Sequence, residues 1–362
     1  MSHFDSLIGH QSVFSHLAAG SPPVPVHVRI EPTECCNMRC IFCVWHDTEI
    51  HKDIASVTSY TGKASLSCER LIRLTEELKG LGTKAVSFTG AGDPLVYPHI
   101  EEVLRKVASN GIQFAITSNF SMPLSDSLLA VLCNAGWVRI SMNAAEPDTY
   151  ARIHAPVETD RELVFNRLKD NIRRLVAARR ALGADMRINA SFVVSEHNSN
   201  EVLKAGRQAE KLGFDSISFR PDDPSIQGSK PIPFSCSVKK QLAALESLQS
   251  EKFRISAQDS YGCRVHEETR GVTCRYAEHT AYIAATGEVY PCCYTRYNKR
   301  FIIGNILTMD FRDFWWSRQH QENLGQILIE NCPECPYDET NIRLNSFSPE
   351  VKRTRSDTED FI

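Results

Sequence analysis

The chain has 362 residues, of which 41 are basic, 44 acidic and 42% apolar, with a formal net charge of −3. That length suits one or two domains, the composition is that of a folded globular protein, and the charge balance gives no electrostatic case for nucleic acid or an anionic membrane as partner. No run approaches 18 apolar residues, and residues 1–20 lack a basic segment followed by an apolar one, so the sequence reads as neither membrane-spanning nor secreted.

Residues 26–31 read as a strand leading into a cysteine-rich loop. A helix is expected over 67–81, with Leu71, Leu74, Leu78 and Leu81 on one face and Gly80 and Gly82 at its end. Residues 85–89 form a short apolar strand before a glycine-rich turn. Ile100, Val103, Leu104 and Val107 then fall at helical spacing, up to the stop at Asn110-Gly111. The rhythm continues with strands over 114–117, 137–142, 186–194 and 216–219, and helices over 128–133, 160–182 and 202–212. Six strand–helix units in series predict an α/β fold. Right-handed crossovers curve such a parallel sheet into a full or partial barrel, with chemistry at the C-terminal ends of the strands.

The rhythm breaks at 221–262, where Pro221, Pro224, Pro231 and Pro233 precede one helix near 238–248. Residues 263–345 are cysteine-rich, with a hairpin over 281–294 turning at Thr286-Gly287, and the tail from 346 is polar. The expected plan is an extension (1–25), a partial barrel (26–222), a connector (223–262), a small cysteine-rich domain (263–345) and a tail (346–362).

Thirteen cysteines are many for a chain without an export signal. In a reducing, cytoplasmic compartment clustered cysteines bind metal or do chemistry rather than form disulfides. Cys36, Cys40 and Cys43 lie at x3 and x2 spacing directly after the first strand. Three thiolates grip three corners of an iron–sulfur cubane and leave its fourth iron open, whereas a structural zinc site wants four closed ligands. A second set combines Cys274 and Cys292, on either side of Gly287, with the pair Cys332 and Cys335. By spacing alone a four-cysteine zinc site and a fully ligated [4Fe–4S] cluster both fit.

The first set, with Phe42 before its last cysteine, resembles the hallmark of the radical S-adenosylmethionine (SAM) enzymes. The resemblance implies a partial (β/α)6 barrel in which the open iron chelates SAM, and reductive cleavage yields a 5′-deoxyadenosyl radical that abstracts hydrogen from substrate. It also implies a flavodoxin or ferredoxin as reductant. Gly90, Gly92 and Asp93 stand where the family has a Gly-Gly-Glu-Pro stretch, with Asp replacing Glu. Ser118 and Asn119, and Ser141 and Asn143, match polar positions that meet SAM at later strand ends, and Ser191 on the fifth strand is a further candidate facing the same cavity. Arg220, ending the sixth strand, suits a carboxylate or polar substrate at a barrel mouth.

The second set resembles the SPASM and twitch extensions of these enzymes, through C-x12-G-x4-C, the stretch from Ile303 to Ile306 and an aromatic helix over 311–316. No usable cysteine follows Cys335, which implies one auxiliary [4Fe–4S] cluster. The x4 spacing from Gly287 favours Cys292 as ligand, with Cys293 as the alternative. Cys263 and Cys293 then remain near the auxiliary site as candidate hydrogen-atom donors. The shortened pattern looks most like twitch enzymes acting on amino sugars and cyclitols. With about 25 residues before the barrel leaving no room for a leader-binding domain, the expected substrate is a small polar molecule of sugar or aminocyclitol type, oxidised or epimerised. A peptide- or protein-modifying enzyme is the alternative, and a non-enzymatic zinc-binding module a second one.

Overall fold

Strand β1 (His27–Ile30) shows the alternation on which the whole sheet is built: Val28 and Ile30 enter the main hydrophobic core, while His27 and Arg29 face the other way. The structure is a computed structural model and describes residues 7–45, 58–158, 160–222, 233–258, 271–332 and 335–347.

After β1 come α2 (Cys68–Leu81), β2 (Ala85–Phe88), α3 (Ile100–Ser109), β3 (Gln113–Ser118), α4 (Asp126–Leu132) and β4 (Trp137–Ser141). They are followed by α5 (Pro147–His154), α6 (Arg161–Leu182), β5 (Arg187–Val194), α7 (Val202–Leu212) and β6 (Ser216–Pro221). Helix α1 (Gln11–Ala19) precedes β1. The helices start and stop where local chemistry dictates. Ser67 accepts from the Arg70 amide at the start of α2, and Gly82 closes it in the left-handed conformation with φ 84°.

Strands β1 to β6 pair in parallel, in sequence order, from His27↔Ala85 through Val194↔Pro221. Core residues alternate with lumen residues on every strand, so Val86, Phe88, Val138, Ile140, Ile217 and Phe219 pack under the helices. Two additions enlarge the expected barrel. The segment read as a connector contains α8 (Cys236–Leu245) and a seventh parallel strand, β7 (Arg254–Ala257), on the β6 edge. At the other edge β8 (Thr280–Ile283) pairs in parallel with β1, His27↔Thr280, and turns into antiparallel β9 (Glu288–Tyr290) and β10 (Gly304–Asn305). The hairpin of the cysteine-rich segment therefore extends the barrel sheet.

Helices α9 (Phe311–Trp315), α10 (Arg318–Leu324) and α11 (Asp338–Asn345) complete the C-terminal part. A buried ion pair locks it to the barrel. Arg70 on α2 donates to both carboxylate oxygens of Glu77 at 2.9 and 3.2 Å, and its Nε donates to Ile306 O at 2.8 Å. Glu77 in turn accepts from the Phe311 amide at 2.5 Å. Among the described residues no helix is long and apolar enough to cross a membrane.

Candidate active site

The loop after β1 is anchored by Met38, which is fully buried, and is clamped on both sides by backbone. The Arg39 and Ile41 amides donate to His154 O (2.9 Å) and Ile153 O (3.0 Å), and Val157 N donates to Asn37 O (3.0 Å). The end of α5 is thus the bed on which Cys36, Cys40 and Cys43 lie. None of the three is in a disulfide, and all are half-buried. Burial pushes the Cys36 thiol up to about 12, with the Asp93 and Cys43 charges adding to it. Burial also raises Cys40 well above its usual range, and Cys43, Cys36 and Asp93 act in the same direction. Three thiols that act on one another beside a carboxylate, offset only in part by Arg39, form an electron-rich donor set, which suits a cationic iron centre held at three corners.

Two further side chains meet this loop. Asn119 Nδ2 points at Cys36 Sγ (3.9 Å) and donates to Asn37 Oδ1 (2.8 Å). His154 Nδ1 lies 3.2 Å from Cys40 Sγ, and its Nε2 faces Met142 O at 3.4 Å. Burial holds the His154 ring down to about 4, so it is neutral, and it stacks on Tyr150 with Phe42 edge-on. Cys35 is exposed, and its carbonyl accepts from the Asp93 amide at 2.9 Å.

The glycine turn after β2 presses on the start of the same loop. A Cβ at Gly90 would come within 2.3 Å of Glu31 Cγ, and one at Gly92 within 2.3 Å of Thr33 O and 2.5 Å of Cys35 O. Glu31 Oε1 accepts from the Ala91 (2.7 Å) and Gly92 (3.2 Å) amides, and Oε2 from the Tyr282 hydroxyl (2.6 Å). Burial raises this carboxyl to about 7 against those hydrogen bonds.

Asp93 is buried, and its two oxygens accept from Leu95 N (2.9 Å), Asn119 N (2.6 Å) and the Ser118 hydroxyl (2.8 and 3.0 Å). Its carboxylate therefore ties the ends of β2 and β3 together. Ser141 and Ser191 stand in register on β4 and β5, and Ser191 Oγ accepts from Arg220 Nη2 at 3.2 Å. Asn143, in the left-handed conformation at φ 48°, accepts from Val193 N through Oδ1 at 2.8 Å. The structure thus brings Asp93, Ser118 and Asn119 to the cysteine loop, and joins Ser191 to Arg220.

The second cysteine set also converges. Cys274 and Cys335 are buried, Cys292 and Cys332 half-buried. Burial raises Cys292 and Cys335 to about 12 each; Cys293 and then Cys332 push Cys292 further, and Cys332 and Cys292 push Cys335. Cys274, raised further still by burial, is influenced next by Cys292, Cys335 and Cys332. Four such thiols fit a closed metal centre. Cys293 also neighbours Cys292, but its Sγ lies 3.9 Å from the Tyr337 hydroxyl, near Arg29, Tyr282 and Arg296. Cys263 lies outside the described residues.

The register of β1 with β8 places the two sets at opposite ends of one strand. Cys36 follows the end of β1, whereas Cys274 precedes β8 and Cys292 follows β9, both at the end where β1 begins. Glu31, His154 and the α5 bed are the site features that sequence reasoning missed. None belongs to a motif, and each gains its place through contacts distant in the chain.

Comparison with known proteins agrees with this geometry. The family model of the radical SAM superfamily matches residues 30–186, and that of the SPASM iron–sulfur cluster-binding domain matches residues 274–336. A GTP 3′,8-cyclase of Marinobacter nauticus is 31% identical over 130 residues, which are 35% of this chain and 36% of that protein. An AdoMet-dependent heme synthase of Methanosarcina barkeri is 22% identical over 332 residues, 85% of this chain and 87% of that one. The chain thus spans about a third of the cyclase but most of the synthase. The structure of Streptococcus suis SuiB bound to S-adenosylmethionine superposes with a TM-score of 0.61 at 14% identity, covering 95% of this chain and 80% of that one. SuiB bound to its precursor peptide SuiA gives 0.60 at 15% identity, covering 92% and 75%. The cofactors that go with these two domains are SAM, a [4Fe–4S] cluster and auxiliary iron–sulfur. The chain belongs to the radical SAM superfamily and carries a SPASM-type iron–sulfur domain toward its C-terminal end.

Proposed function

We propose that this enzyme abstracts hydrogen from a small polar substrate lying in the barrel lumen, leading to its oxidation or epimerisation. The observation that carries the proposal is the placement of the two thiol sets at opposite ends of β1, with the lumen between them. Bound SAM, with an electron from the reduced cluster, supplies a 5′-deoxyadenosyl radical. Cys36, Cys40 and Cys43 hold that cluster in this reading, and Cys274, Cys292, Cys332 and Cys335 hold one auxiliary cluster. Asn119, Ser141 and Ser191 line the SAM side of the lumen, and Arg220 orients substrate from the end of β6. In this reading the Cys293 thiol, which lies by the Tyr337 hydroxyl and acts on Arg29, returns a hydrogen atom, as epimerisation requires. A flavodoxin or ferredoxin reductant and a cytoplasmic location accompany this reading. Peptide modification is the alternative, supported by the SuiB likeness, which is one of fold.

The test is iron, sulfide and zinc content after anaerobic purification, with SAM cleavage by dithionite-reduced protein. About eight irons per chain, falling to about four with loss of SAM cleavage in the Cys36/Cys40/Cys43→Ala variant, is the expected result. Zinc at both sets would overturn the reading. Unchanged turnover in Cys293→Ala would remove epimerisation through that thiol.

A further inference from the structure

Strands β1 to β7 carry five arginines, Arg29, Arg139, Arg187, Arg220 and Arg254, and not one aspartate or glutamate. All five share the lumen face. Val28, Val138, Ile140, Ile188, Ile217 and Phe219 beside them belong to the core, and the register continues the lumen face from Trp137 to Arg187 and from Ser216 to Arg254. On the helices Arg70, Arg105, Arg167, Arg174 and Arg179 each have a carboxylate partner, while Arg152, Arg161, Arg180 and Arg207 have none among the described residues. Among the described residues Arg139, Arg187, Arg220 and Arg254 have none.

On this face the register sets Arg139 level with Asn189 of β5 and Arg220 level with Val193, four positions further on, and the Arg220 side chain reaches back to Ser191 between them. Arg139, half-buried on β4, lies over the Trp137 ring at 5.0 Å and donates no side-chain hydrogen bond among the described residues. Arg220, half-buried at the end of β6, gives one hydrogen bond to Ser191, and its Nε is buried without an acceptor. Between them β5 presents Asn189, Ser191 and Val193, which supply no charge. Among the described residues, the strand-end carboxylates Glu31 and Asp93 are already engaged, Glu31 by Tyr282 and two amides, and Asp93 by Ser118 and two amides. Burial first, then the Arg220 and Arg29 charges, hold the Arg139 guanidinium down to about 10. Forks of this kind bind carboxylate or phosphate bidentately, and a cleft of one charge sign concentrates the opposite ion.

We propose that Arg139 and Arg220 form an anion seat in the lumen that takes a carboxylate or phosphate group of the substrate. This deepens the small-polar-substrate reading, rests on it for the word substrate, and turns it from amino sugars, whose ammonium groups these guanidiniums repel, to negatively charged molecules.

The experiment uses SAM-loaded holoenzyme, reconstituted anaerobically and titrated calorimetrically with inorganic pyrophosphate and, separately, with succinate. The expected result is binding of at least one of them, weakened roughly tenfold or more in Arg139→Met and in Arg220→Met. Arg139→Lys and Arg220→Lys keep the charge without the fork and fall between, which also covers a misfolded Met variant. Arg180→Met, on the exposed face of α6, binds as wild type. The tighter of the two probes identifies phosphate or carboxylate as the group seated. Wild-type affinity in both Met variants, or no binding of either probe to wild type, overturns the seat. So does a matching loss of SAM affinity with pyrophosphate and succinate unaffected, because the guanidiniums would then hold the SAM carboxylate. Anion binding is read without turnover, so protein that seats the anion but never cleaves SAM would overturn the radical reading and leave the seat standing.

Discussion

The Tyr282 hydroxyl donates to Glu31 Oε2 at 2.6 Å, and through that carboxylate β8 reaches the glycine turn whose amides fill Oε1. In Tyr282→Phe one oxygen of a buried carboxylate loses this donor. The expected cost is about 1–3 kcal/mol of stability, read as an earlier denaturant midpoint, and a Glu31 carboxyl pushed above its value of about 7. An unchanged midpoint would show that the bond contributes nothing.

Gly92→Ala places a methyl group 2.3 Å from Thr33 O, a backbone atom that cannot swing aside. The loop bearing Cys36 must shift, so iron content should fall toward that of the Cys36/Cys40/Cys43→Ala variant. Stability should fall by about 1–3 kcal/mol. Iron at the wild-type level would mean that the loop accommodates the methyl group.

Arg70 and Glu77 are a buried ion pair that holds α2, Ile306 and Phe311 together. Glu77→Ala leaves a buried guanidinium and the Phe311 amide unpaired, for an expected loss of about 3–5 kcal/mol. Chemical unfolding measures it, and the Arg70→Met/Glu77→Met double variant should recover much of the loss. A double variant as unstable as the single would count against this account.

The strand–helix rhythm and both cysteine sets are legible in the sequence because each is local: a side-chain period or a fixed spacing. What escapes it is set by tertiary partners. The β7 sequence Arg-Ile-Ser-Ala has one large apolar residue and is a strand because β6 lies beside it. Helix α1 has no side-chain N-cap and buries Val13 in a small core shared with Cys274, Tyr276 and Leu324. Glu31 and His154 look like any strand-end glutamate and helix-end histidine. Their importance comes from Tyr282, 251 positions along the chain, and from Cys40, 114 positions away. The arginines of the lumen are visible as letters, but their common face needs the register.

His320 packs against Phe314 and Trp315 with ring centroids 4.4 and 4.7 Å away, and burial lowers it to about 4. The unfolded chain takes up this proton near pH 6.5 while the folded ring does not. Its stabilising contribution is therefore complete above pH 6.5 and is lost toward pH 4, by up to about 1.4 kcal/mol per pH unit. His320→Phe keeps the stacking and removes the titration, so its stability relative to wild type should rise between pH 7 and pH 5 in guanidinium melts. Parallel pH curves would contradict this.

Because β8 is hydrogen-bonded along the whole of β1, the C-terminal hairpin also serves as the barrel's hem. A chain cut before residue 271 would leave the N–H and C=O groups on that side of β1 open to any strand that meets them, an invitation to intermolecular pairing and aggregation. The cysteine-rich segment therefore cannot be shed or exchanged like a detachable module, and the SAM-side loop depends for its footing on residues some 250 positions downstream.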